Sequence, residues 1–94
     1  MVTIEIESNG IESKLEAVAN ELGLSINKDD QQNFDAVVLW TIGGNAATVA
    51  MFLIKIYELC GKNIHLNYHS EKVEQDGLSI GNAIDIAKQE PQNG

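Results

Sequence analysis

At 94 residues the chain is long enough for one domain, and its 44% apolar content is that of a folded protein, not a disordered one. Fourteen Asp and Glu oppose six Lys with no Arg, a formal net charge of −8, which repels phosphate backbones and anionic headgroups and so argues against nucleic acid and membrane surfaces as partners. The lone cysteine, Cys60, permits no internal disulfide, and the acidic N-terminus lacks the basic and apolar regions of a signal peptide, so a reducing cytoplasm is expected.

Val2 to Glu7 alternates apolar and polar residues, which predicts a strand with one wet face. Ser8-Asn9-Gly10 is turn chemistry. From Ile11 the period lengthens: Ile11, Leu15, Val18, Ala19 and Leu22 share one side of a helix that Gly23 ends. Leu24 to Ile26 suits a short second strand, and Lys28 to Asn33 a polar loop. Asp35 to Ile42 is β-branched and aromatic, which favours a strand buried on both faces, while a helix over the same residues stays open. Gly43-Gly44-Asn45 interrupts the apolar run before a helix from Ala46 to Cys60 with Gly61 as its cap.

Asn63 to His69 alternates again, as a strand. Ser70 to Asp76 is polar and expected to be exposed, with a turn at Asp76-Gly77. Leu78 to Ile86 fits either period. As a strand it places Gly81 and Asn82 badly in the interior. As a helix, Ser79 caps it while Ile80, Ala83, Ile84 and Ala87 line one side, and the helix is preferred. The predicted fold is of the α/β (α+β) class: a two-layer sandwich of a three- or four-stranded sheet under two or three helices. It forms one domain over residues 1–88, followed by a flexible tail over 89–94.

Three stretches invite a functional reading. Gly43 to Thr48 joins a strand to a helix N-terminus, the arrangement of an anion or nucleotide site, although neither a dinucleotide fingerprint nor a P-loop is present; the plainer expectation is a joint between two buried elements. Ala36 to Ile54 has no charge over nineteen residues, about the length of a membrane span, but the central glycines and Asn45 argue for a core segment. Cys60, His65 and His69 mimic half of a zinc site without a framing motif, so no metal and no cofactor are expected. Ser79, Cys60 and the two histidines are the candidates for nucleophile or base, and nothing orders them into a triad. The chain is therefore read as a non-enzyme.

The opening "VTIEIE" strand, a leucine-bearing helix, and then "DAVVLWTIGGNAATVAMFLIKIYELCGKNIHL" over residues 35–66 form an ordered pattern. Its parts are an apolar run, a central Gly-Gly, an Ala-rich helix with an aromatic near its end, a basic residue and an alternating strand. In that order the chain resembles the effector-associated constant component family of small bacterial conflict-system proteins, over about residues 2–68. The resemblance implies a non-enzymatic adaptor that couples a caspase-like or protease-like effector in a defence or signalling system. A helix over residues 36–42 would strengthen the resemblance and a central strand would weaken it.

The residues themselves suggest a protein partner or self-association; that the partner is an effector is what the resemblance implies, and a toxin-like partner goes with the acidic alternative. The contact would be apolar around Trp40, Phe52 or Tyr57. The alternative is an acidic immunity or anti-defence protein that masks a basic surface, and its mark would be Glu5, Glu7, Glu71, Glu74 and Asp76 gathered on one face.

Overall fold

β1 (Val2–Ser8) is the middle strand of an antiparallel sheet in this computed structural model, which describes residues 1–8, 12–29, 38–61 and 63–90. Among the described residues the other strands are β2 (Ser25–Asp29), β3 (Val38–Gly44), β4 (His65–His69) and β5 (Glu74–Ser79). The helices are α1 (Glu12–Glu21), α2 (Ala46–Cys60) and α3 (Ile80–Gln89). The strand order is β2-β3-β1-β4-β5, with every neighbouring pair antiparallel. This is the expected α+β class with five strands rather than three or four. The turn expected at 8–10 and the loop at 28–33 fall largely outside the described residues, and so does the tail from 91 onward. The helix expected from Ile11 is described from Glu12.

Alternation decides which face the helices cover. Val2, Ile4 and Ile6 of β1, Trp40 and Ile42 of β3, and Leu66 and Tyr68 of β4 are all buried in one cluster. The same cluster contains Leu15, Val18 and Ala19 of α1, Phe52, Leu53 and Ile56 of α2, and Ile80, Ala83 and Ala87 of α3. Burying each large apolar side chain contributes about 1.5–3 kcal/mol, and the three helices together supply the partners. The residues between them in sequence point away from the helices. β3 therefore has one covered face, not two: Leu39 and Thr41 are only half-buried on the open side. An antiparallel sheet tolerates one wet face, so helices on both sides are not required.

Each helix boundary has a local cause. Gly23, at φ 71°, follows α1, with Leu24 N–H donating to the Ala19 carbonyl at 2.9 Å and Gly23 N–H to that of Asn20 at 3.2 Å. That is the paired bonding of a Schellman end. Asn45 caps α2, and Gly61 closes it through its N–H to the Tyr57 carbonyl at 2.9 Å. Ser79 caps α3 by accepting from Asn82 N–H at 3.3 Å, which settles Leu78 to Ile86 as the end of β5 followed by helix. α3 runs through Gln89, one residue past the expected boundary. Beyond it the Ser70 hydroxyl donates to the Glu90 carboxylate and fastens the helix end to the β4–β5 bend.

One expectation changes in kind, and an alternative left open in sequence is decided. Asp76-Gly77 is not a turn but lies inside β5, where the register shifts against β4 between Leu66 and Tyr68. Gly77, at φ 70°, provides the extra residue of a β-bulge, a site that uses the same left-handed glycine as a turn. Residues 38–42, favoured as a strand in sequence with a helix as the alternative, do form a strand, between β2 and β1, the outcome that weakens the family resemblance; residues 36 and 37 lie outside the described residues. The described part of the apolar run, 38–54, is thus divided between β3 and α2. Among the described residues no helix is long and apolar enough to cross a membrane.

Candidate functional site

The face of the sheet that no helix covers among the described residues takes its chemistry from β1, β4 and β5, which lie side by side. Glu5 and Glu7 alternate with buried Ile4 and Ile6, so both carboxylates project from the open face. His65, Asn67 and His69 alternate with buried Leu66 and Tyr68 and project the same way. Glu5 is the register partner of Asn67, and its Oε1 accepts from Asn67 Nδ2 at 3.4 Å and lies 3.1 Å from His69 Nε2. Glu74 stands opposite His69 across the β4–β5 ladder. Asp76 Oδ1 is 4.0 Å from the same His69 nitrogen, brought there by the bulge, and Gly77 N–H donates to Asn67 Oδ1 at 3.0 Å. A shallow depression of about 210 Å³ runs between Glu5, Glu7, Leu39, His65, Asn67 and Gly77.

The result is four carboxylates on one sheet face, interleaved with two histidines and one amide. Glu71 adds a fifth acid in the bend between β4 and β5. Among the described residues, cations are placed mostly elsewhere. Lys28 sits 5.7 Å over the Trp40 ring on the helix side, Lys55 pairs with Glu21 at 3.2 Å between α2 and α1, and Lys72 follows Glu71 in the bend. The face therefore presents a local negative field with hydrogen-bond acceptors held by neighbouring strands, suited to ammonium and guanidinium groups.

The structure distributes the expected contact residues unevenly. Glu74 and Asp76 are on the open face, with Glu71 beside it. Trp40 and Phe52, expected at an apolar contact, are instead core residues at 1% and 0% exposure; Trp40 points from β3 into the helix layer and Phe52 lies on the inner side of α2. Tyr57 remains accessible on α2, together with Met51 and Leu59. Asn67 had no signal of its own in the sequence and Gly77 only that of a turn, because their place at this face depends on the pairing of β4 with β1 and β5.

The other candidates come apart. Cys60 ends α2, half-buried against the core, while His65 and His69 face away across the sheet. Among the described residues no group of three or more His, Cys, Asp or Glu is placed to hold a metal ion. Ser79 is committed to capping α3. At the Gly43–Thr48 joint, Asn45 Oδ1 accepts from both Thr48 N–H and Thr48 Oγ1 at 2.8 Å, so both Thr48 donors are already in use.

Tyr68 is the described group whose titration is clearly displaced. Burial first, and the negative Glu90 carboxylate second, push its hydroxyl well above the ordinary value of about 10. Glu90 also favours the proton as an acceptor, but no hydrogen bond of good geometry reaches the hydroxyl among the described residues; burial is the dominant cause. Tyr68 belongs to the covered side of the sheet and not to the acidic face. Compared with known proteins, the chain matches no family model, no curated protein and no solved structure.

Proposed function

We propose that the chain is a non-enzymatic protein-interaction module of the cytoplasm that binds a basic surface of a partner protein with its open sheet face. The supporting observation is the gathering of Glu5, Glu7, Glu74 and Asp76 on adjacent strands around Asn67 and His69. It supports the reading of an acidic protein that masks a basic partner, as an immunity or anti-defence protein does, with four of the five acids expected of such a face on it and Glu71 in the adjoining bend. Opposite fields steer such an encounter and fix its orientation.

An adaptor for a caspase-like or protease-like effector is the second reading. It draws on the family resemblance and on Met51, Tyr57 and Leu59, which leave apolar surface on α2. The two differ in salt dependence, because exposed charge pairs are screened and apolar contacts are not.

Titration with an oligolysine peptide tests the acidic face. Affinity should fall about tenfold between roughly 20 mM and 200 mM salt. At low salt Glu5→Gln with Glu74→Gln should weaken binding several-fold more than the control pair Glu16→Gln with Glu21→Gln on α1. Equal losses from the two pairs would show that net charge, not this face, carries the binding.

A further inference from the structure

The geometry points to a second docking surface, independent of the acidic sheet face: the groove between α2 and α3, built to receive an amphipathic helix of a partner protein with basic residues flanking its apolar stripe. The groove holds about 520 Å³ and is walled by Ile54 and Tyr57 of α2 and by Ile84 of α3, with Gly81 among its lining. Met51, one turn before Ile54 and half-exposed, extends the apolar strip along α2, and its flexible thioether adapts to varied partners.

Gly81 needs an explanation that the fold does not give. It sits in the first turn of α3, and glycine in a helix is less favourable than alanine. Its φ is not positive, so no backbone demand selects it. A Cβ built there would meet nothing within 4 Å, so no close packing selects it either. What the missing side chain does is keep the space between the two helices open. Two helices side by side offer the ridges and groove that a third helix fills, with anchors at i, i+3, i+4 and i+7.

Charge indicates the occupant. Glu58 on α2 and Asp85 on α3 flank the apolar lining, and Lys88 lies one turn beyond Ile84 on α3. A helix with Lys or Arg beside its apolar stripe satisfies both carboxylates. A second copy of this chain would instead bring Glu58 and Asp85 against themselves on a molecule of net charge −8, which disfavours self-pairing at this groove.

The probe is a leucine-striped helical peptide of about five turns with lysines on both flanks, compared with a twin carrying glutamates there. The lysine peptide should shift the backbone amides of Gly81, Asn82, Ile84 and Asp85 in a nitrogen–proton NMR titration. Gly81→Leu fills the groove and should weaken that binding about tenfold or more without lowering the thermal midpoint. Should Gly81→Leu unfold the chain, Glu58→Lys with Asp85→Lys reads the same claim and should reverse the preference between the two peptides. The proposal is overturned if both peptides bind wild type equally, if the shifts are confined to the sheet face, or if neither variant alters binding. It is also overturned if sedimentation shows a dimer that Gly81→Leu abolishes, because a second copy would then be the occupant.

Discussion

Gly43 and Gly44 are adjacent at the end of β3 yet carry different constraints. A Cβ on Gly44 would lie inside van der Waals contact of Leu24 Cδ2 and 3.9 Å from Val49 Cγ2, whereas on Gly43 it would meet Met1 Cε at 3.4 Å and the Val2 carbonyl at 3.7 Å. Neither has positive φ, so a sharp turn is not the reason for the pair; close packing of α2's entry on Leu24 is. Gly44→Ala should cost about 1–2 kcal/mol by overpacking beside the buried Leu24, while Gly43→Ala should stay within about 0.5 kcal/mol, both read by urea denaturation. Leu24→Val placed with Gly44→Ala should return part of the loss. At the same scale Tyr68→Phe removes a buried hydroxyl that lacks a well-formed bond, so at neutral pH stability should change by less than about 1 kcal/mol or rise. Because the folded-state value of Tyr68 is raised, its contribution is intact below pH of about 10 and is lost as pH climbs toward the folded value. Alkaline unfolding curves should therefore be flatter for Tyr68→Phe than for wild type.

At the scale of elements, what was legible had a local cause. β1 and β4 announce themselves by alternation, α1 by its period and Gly23, and α3 by Ser79, whose cap outweighed the competing strand pattern of Leu78 to Ile86. Asn45→Ala and Ser79→Ala should each lower stability by about 1 kcal/mol in thermal or chemical denaturation. β5 was hidden for a physical reason. It is an edge strand whose first four residues are exposed, so no apolar alternation marks it, and acids and a bulge are how an edge avoids pairing with other chains. β2 likewise outruns its apolar residues: Lys28 reads as loop in sequence, but the ladder to β3 sets it opposite Trp40, over whose ring its ammonium lies.

At the scale of the whole molecule, the acidic face arises from topology. Alternation alone assigns Glu5, Glu7, His65 and His69 to wet faces, but only the order β3-β1-β4-β5 brings them next to Glu74 and Asp76. That order depends on long-range pairing, which short segments of sequence do not encode. The same placement withdrew Trp40 and Phe52 from the surface, since the helices on one side of the sheet bury Trp40 and Ile42 of β3 against the inner side of α2. The most direct test of the proposed function is a residue-resolved NMR titration of the wild-type chain with an oligolysine peptide at low salt. Amide shifts concentrated at Glu5, Asn67, His69, Glu74 and Gly77, and abolished by salt, are the expected result. Shifts spread evenly over the acids of α1, α2 and α3, with the sheet face no more affected than the rest, would contradict it.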